Sequence, residues 1–269
     1  MAFLPAALSF PSIDPFLFRF GSVGLSWYAF MYLLGFVLAY FILRRRFQKG
    51  FLRLKEKNQV GSLVTYCFYG LILGARLFYV FFYNPRYFLE NPLEIPALWH
   101  GGMSFHGGLV GVILAMWWFG KRENAAFLNV ADNVALCAPI GLFFGRIGNF
   151  INGELYGRTS DIPWAMVFPR GGPLPRHPSQ LYEALGEGLL LALILWWVAR
   201  RPRRDGTLSG LFVLLYAVFR FFIEFFREPD PQLGFILGPF SMGQVWCVAM
   251  LALAGFVLAV SRRGPSTPS

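Results

Sequence analysis

Apolar runs of about twenty residues recur along this 269-residue chain, and that length constrains its fold more than any motif does. Hydrocarbon offers no water to backbone N–H and C=O groups, so a crossing segment must satisfy them internally; about 20 apolar residues form a helix long enough to do so. The runs fall at 24–43, 61–83, 104–120, 130–150, 181–199, 208–226 and 241–261. Seven crossings are expected. Charged residues make up 14% of the chain, against roughly 25% in soluble domains, and phenylalanine alone accounts for 31 positions. A water-soluble fold, a disordered chain and a disulfide scaffold are thereby excluded. The short strands of alternating polarity that make an outer-membrane barrel are not seen. The expected architecture is an all-α polytopic membrane protein, a single integral domain over 1–269 with a short disordered tail at 264–269.

The formal charge of +10 would suggest a nucleic-acid partner in a soluble protein, so the placement of the cations decides its meaning. Fifteen of the 24 lysines and arginines cluster just after alternate runs. They form four groups: Arg44, Arg45, Arg46, Lys49, Arg53, Lys55 and Lys57; Lys121 and Arg122; Arg200, Arg201, Arg203 and Arg204; Arg262 and Arg263. These follow the first, third, fifth and seventh runs. The positive-inside rule puts all four on the cytoplasmic side, so the N-terminus is expected outside and the C-terminus in the cytoplasm. No nucleic acid is expected as a partner. The first 20 residues lack the basic start and cleavage pattern of a secretory signal and read as an outer segment lying on the membrane. Cys67, Cys137 and Cys247 fall within runs without metal or redox spacing and read as buried hydrophobes.

Polar residues at bilayer depth are expensive, about 2.5–3.5 kcal/mol for an arginine on insertion scales, so each needs a partner or water. Arg76, Arg146 and Arg220 lie inside runs, all toward the outer end. Tyr216, Arg220, Glu224 and Arg227, spaced by four, four and three, are expected to form one helical stripe facing protein or a cavity. Gly145–Arg158 reads GRIGNFINGELYGR, its glycines permitting close approach or sharp turns, with Arg146 and Asn149 on one face. Gly101–Gly108 opens the third run with His106, a candidate general base whose flanking glycines keep bulk away from it. Arg176–Glu183 reads RHPSQLYE, where Ser179 has the position of a helix cap. On this topology all these groups face the outer side. A cavity there, lined by guanidinium groups, suits an anionic phosphate head group whose tails stay in the bilayer. A polytopic transporter of an anionic metabolite is the alternative, although the inner halves of the runs are nearly pure hydrocarbon.

SFHGGL at 104–109, GRIGNFINGELYGR at 145–158, RHPSQLYE at 176–183 and FRFFIEFFREPDPQ at 219–232 resemble the prolipoprotein diacylglyceryl transferase family, as do SWYAFMYLLGF at 26–36 and SMGQ at 241–244. The resemblance implies a seven-helix enzyme of the bacterial inner membrane, its active site facing the periplasm. It implies transfer of the sn-1,2-diacylglyceryl group from phosphatidylglycerol to the lipobox cysteine thiol of a prolipoprotein signal peptide, with release of glycerol 1-phosphate and no metal or soluble cofactor. The partners implied are thus phosphatidylglycerol, the prolipoprotein and the surrounding membrane lipids. The family's important residues fall on Tyr28, His106, Arg146, Asn149, Glu154, Gly157, Arg220 and Glu224. His106, Arg146, Arg220 and Glu224 are the catalytic candidates. Tyr28, Arg146, Asn149, Glu154, Gly157 and Arg220 are the candidates for binding phosphatidylglycerol.

Overall fold

A computed structural model of the chain describes residues 8–21, 23–228, 235–237 and 240–263. The expected tail at 264–269, the first seven residues of the outer segment and the last part of the 219–232 motif lie outside the described residues. The backbone forms two compact units, one from 1–38 with 134–269 and the other from 39–133. The described chain is mostly helical: α1 Trp27–Gln48, α2 Asn58–Phe78, α3 Pro85–Glu90, α4 Phe105–Glu123, α5 Phe127–Ala135, α6 Ala138–Ile151, α7 Ser179–Glu183, α8 Leu191–Val198, α9 Thr207–Ile223 and α10 Met242–Arg263. Among the described residues five stretches, 27–48, 58–83, 127–151, 179–198 and 242–262, are long and apolar enough to cross a bilayer by length and composition; α9 is shorter. The chain is therefore a polytopic helical membrane protein.

In the 39–133 unit, α2 and α4 pack through bare backbone. A Cβ on Gly111 would lie 1.9 Å from the Gly70 carbonyl oxygen, and one on Gly74 would lie 2.4 Å from that of Gly107. Small residues admit such close contact between helices in lipid, where burial of apolar surface gives little drive. The glycines after His106 thus serve helix packing, a different task from clearing space around the imidazole. Ser104 caps α4 by accepting a 3.3 Å hydrogen bond from the Gly107 amide, and Asn124 ends the helix in the left-handed conformation. After α1 the chain turns back under Arg46, which stacks over the Phe51 ring and donates to Asn133 Oδ1 at 2.8 Å.

Arg76, near the end of α2, is buried and donates to the backbone carbonyls of Glu94, Ile95, Ala97, Gly101 and Gly102. Its guanidinium is used up in holding the 94–102 loop. Its cost at depth is met by backbone acceptors, not by a ligand.

The other unit holds the remaining motifs. Leu8–Ser9 (β1) pairs in parallel with Met166–Val167 (β4), while Phe16–Phe20 (β2) and Val23–Ser26 (β3) form an antiparallel hairpin before α1. The run expected at 130–150 is broken between α5 and α6, just before Pro139. Proline has no N–H to donate and its ring crowds the preceding turn. The Leu136 carbonyl at the break accepts a 3.2 Å hydrogen bond from the Trp196 indole.

The fifth run is not a uniform α-helix either: a wider, π-helical stretch spans Ala184–Leu190 between α7 and α8. Ser179 is the first residue of α7 and not its cap, because its hydroxyl donates instead to the Leu155 carbonyl at 3.1 Å. The helix α9 ends at Ile223, short of the expected 226, and the chain tightens there into turns in which the amides of Phe225, Phe226 and Arg227 donate to carbonyls three residues back. Arg158 binds the end of these turns: its amide donates to the Phe226 carbonyl at 2.9 Å and its Nε to that of Arg227 at 2.7 Å. Apolar packing of Leu136, Leu191, Leu195, Ala199 and Leu208 fixes α8 against α9. All three cysteines are buried and stand outside any disulfide.

Candidate functional site

A helix whose last turns carry arginine in an apolar setting must bring the guanidinium to counter-charge. Three helical segments solve that problem at one place. Arg146 extends from α6, Arg220 from α9 and Arg227 from the turn after α9, and they interleave with Glu183, Glu187 and Glu224. Glu183 Oε2 lies 2.7 Å from Arg146 Nη2 and 2.9 Å from Arg220 Nη1, while its Oε1 lies 3.4 Å from Arg227 Nε. Glu224 Oε2 faces Arg220 Nη2 at 2.9 Å and Arg227 Nη1 at 3.3 Å. Glu187 Oε1 stands 3.6 Å from Arg220 Nη1, too far for a hydrogen bond.

The sequence explains the convergence locally. Gly188 lies directly against Phe143, with a notional Cβ 2.6 Å from the Phe143 Cβ, so α6 comes close to the π-helical stretch. Arg146, three residues past Phe143 on the same helix, is thereby brought to Glu183. Glu183 ends α7 and Glu187 lies in the π-helical stretch that follows it, and both carboxylates approach Arg220. Such irregular turns recur at functional sites.

The GRIGNFINGELYGR segment supplies the rest. Arg146 Nη1 reaches Asn149 Oδ1 at 3.4 Å; the amides of Asn149 and Asn152 donate to Glu154 Oε1 at 3.0 and 3.2 Å. The Gln180 amide holds the Glu154 carbonyl at 2.6 Å. Tyr28 packs its ring on Gly148 and shares a 3.2 Å hydrogen bond with the Tyr32 hydroxyl. Gly157 is wedged between the Phe226 carbonyl and His177, where a Cβ would be 2.2 Å from that oxygen.

Residues 152–178 thus form a strap from α6 to α7. Arg176 anchors it by donating to the Gly157 and Gly171 carbonyls and to Glu228 Oε2. Beyond the turn, the Ser241 hydroxyl donates to Glu224 Oε1 at 2.9 Å, in the motif Ser241–Gln244 that opens α10.

Seven of the eight residues singled out from the sequence lie in this unit: Tyr28, Arg146, Asn149, Glu154, Gly157, Arg220 and Glu224. Arg146, Asn149 and Glu154 join in one hydrogen-bonded line, and Arg220 meets Glu224 directly. His106 belongs to the 39–133 unit, exposed in the first turn of α4 beside Phe105. Tyr216, expected on the polar stripe, stacks its ring on Phe212 beside the apolar cluster and also interacts electrostatically with Arg220 and Glu187.

Glu183 and Glu187 were not assigned a role from sequence. The signal was present in two carboxylates four residues apart in an apolar run, as costly in lipid as the arginines that drew notice. His177, outside the spans, has its imidazole pushed below its ordinary value by burial and by the Arg158 guanidinium.

Fold and site together define a multi-pass helical membrane protein with clustered guanidinium groups at one helix end, a constellation able to hold an anionic head group. The pattern that defines the prolipoprotein diacylglyceryl transferase family matches residues 15–260, and the chain belongs to that family. It is 52% identical over 254 residues to the phosphatidylglycerol–prolipoprotein diacylglyceryl transferase of Pseudomonas aeruginosa strain LESB58, covering 94% of this chain and 95% of that protein. The protein of the same name in Aliivibrio salmonicida is 51% identical, over 94% of this chain and 89% of its own. That of Nitratidesulfovibrio vulgaris strain Miyazaki F is 48% identical, over 97% and 99%. The family places the chain among transferases and sets the transporter reading aside.

Proposed function

We propose that this protein transfers the sn-1,2-diacylglyceryl group of phosphatidylglycerol to the lipobox cysteine of a prolipoprotein, the first step of lipoprotein maturation. The cysteine sulfur attacks the glyceryl carbon that carries the phosphate ester. The carbon–oxygen bond breaks, a thioether forms, and glycerol 1-phosphate leaves with the electron pair. The observation that carries this reading is the meeting of Arg146 and Arg220 on one carboxylate, 2.7 and 2.9 Å away, which sets two guanidinium groups side by side.

Each residue then has a task. Arg146 and Arg220 grip the phosphodiester and stabilise the negative charge that grows on the leaving oxygen, the larger contribution where water is scarce. Asn149 and Tyr28 orient the head group through hydrogen bonds. Glu224 fixes Arg220. Glu154, bound by two asparagine amides, keeps the strap in register with α6, and Gly157 keeps the strap seated at the head-group end. His106 accepts the thiol proton, a role carried by the family resemblance; a cysteine thiol of pKa near ~8.5 needs such help at neutral pH.

The same reading takes all seven runs as membrane crossings in the inner membrane, including α4 and α9, with the N-terminus and the active site toward the periplasm and the four basic clusters in the cytoplasm. Partners are phosphatidylglycerol, entering sideways from the bilayer, and the signal helix of the prolipoprotein.

The test is direct. The purified protein is incubated with phosphatidylglycerol and a lipobox peptide, and the peptide is weighed by mass spectrometry. A gain of one diacylglyceryl group on the cysteine is expected. An unmodified peptide under conditions where an established relative modifies it would overturn the proposal.

A further inference from the structure

Arg146 and Arg220 stand on different helices and carry like charge, so neither element by itself holds the two guanidinium groups at a fixed spacing. Glu183 supplies what is missing. Its side chain is 0% exposed, whereas those of Arg146, Arg220 and Arg227 are 18%, 14% and 16% exposed. The carboxylate is therefore sealed, as that of Glu187 is, and the guanidinium groups are the accessible ones; of the two carboxylates Glu183 alone contacts both arginines within hydrogen-bond distance. One oxygen, Oε2, takes both Arg146 Nη2 and Arg220 Nη1; the other faces Arg227 Nε. Each guanidinium still has N–H donors beyond those spent on Glu183.

We infer that Glu183 is a positioning residue: its buried carboxylate sets the spacing and aim of Arg146 and Arg220 for the phosphodiester of the lipid substrate. The inference rests on the proposed grip of those two arginines on that group. Donors stabilise a developing oxyanion only when already aimed at it, and a displacement of about 1 Å can cost on the order of 100-fold in rate. Two guanidinium groups without a shared counter-ion repel and splay apart. Binding and turnover should therefore respond differently to the loss of Glu183. Removing one negative charge favours an anion, while losing the aim slows the chemical step.

The experiment compares Glu183→Gln and Glu183→Asp with the parent enzyme, purified in detergent. Steady-state transfer is measured against phosphatidylglycerol concentration, and thermal unfolding is followed in parallel. Glu183→Gln keeps size and one acceptor but no charge, and is expected to lower kcat about 100-fold with KM for the lipid unchanged or reduced. Glu183→Asp keeps the charge one methylene back and is expected to recover part of kcat, about tenfold below the parent. If Glu183→Gln does not fold, the same kcat-selective loss in Glu183→Asp carries the test. A kcat within threefold of the parent in the folded variants, or a loss residing wholly in KM, overturns the inference. Arg146→Lys and Arg220→Lys, run alongside, separate the two claims: if they keep turnover, the phosphate grip itself fails, and if they lose it while Glu183→Gln does not, only the role of Glu183 falls.

Discussion

The Ser241 hydroxyl donates a 2.9 Å hydrogen bond to Oε1 of Glu224, whose other oxygen faces Arg220 and Arg227. The start of α10 is thereby tied to the arginine cluster through one buried bond. Gly243 presses on the same carboxylate, where a Cβ would lie 2.6 Å from Oε1, so the carboxylate has little freedom.

Ser241→Ala removes a hydrogen bond to a charged acceptor, worth about 1.5–3 kcal/mol when buried. The variant should melt at lower temperature and turn over about tenfold more slowly, since Glu224 no longer holds Arg220 as firmly. Thermal unfolding in detergent and the transfer assay measure both effects. An unchanged melting temperature would show that the bond contributes nothing.

Gly157→Ala tests the seat of the strap. A methyl group there would meet the Phe226 carbonyl oxygen at 2.2 Å and the His177 Cβ at 2.9 Å. The strap must shift, stretching the hydrogen bonds from the Gly157 amide to the His177 carbonyl and from the Arg158 amide to that of Phe226. Overpacking of this kind costs about 1–3 kcal/mol. The variant is expected to insert in the membrane but to be less stable and less active, as read by proteolysis of the strap and by transfer rate.

His177 predicts a dependence on pH. Trp164 Nε1 donates to the Tyr182 oxygen at 2.7 Å, which leaves the Tyr182 proton free to be offered to His177 Nδ1, 3.2 Å away. A Tyr182 proton given to Nδ1 would suit neutral imidazole. Burial and the Arg158 guanidinium lower the folded value below the ordinary ~6.5, so the unfolded chain binds its proton first as pH falls. Stability should drop as pH falls through about 6.5 and level off below the folded value. Melting temperatures between pH 5 and 8 should show that slope in the parent and lack it in His177→Gln. A parent protein that gains stability on acidification over this range would contradict the assignment.

The helical, membrane-embedded character was legible because length and apolarity act over whole segments and leave few alternatives. Arg146, Arg220 and Glu224 were legible for a related reason: a charge among phenylalanines demands an explanation. What could not be read was which charge answers which. Arg76 looked equivalent to the other two arginines, yet it spends its donors on backbone carbonyls of a loop that only folding brings near. Glu183 was not legible because its partners come from other helices, one of them brought near by the close approach of Gly188 to Phe143. Ser179 had the residue type of a cap but found a better acceptor across the strap. In each case a local rule was overridden by a partner distant in sequence.

The central claim is that the guanidinium groups of Arg146 and Arg220 act on the departing phosphate, and single-turnover kinetics test it most directly. With enzyme in excess and both substrates bound, thioether formation is timed in the parent, Arg146→Lys and Arg220→Lys. Lysine keeps the charge but loses the planar fork. Each substitution is predicted to slow the chemical step at least about 100-fold, the size of loss seen when one oxyanion donor is removed. Single-turnover rates within a few-fold of the parent in both variants would contradict the account.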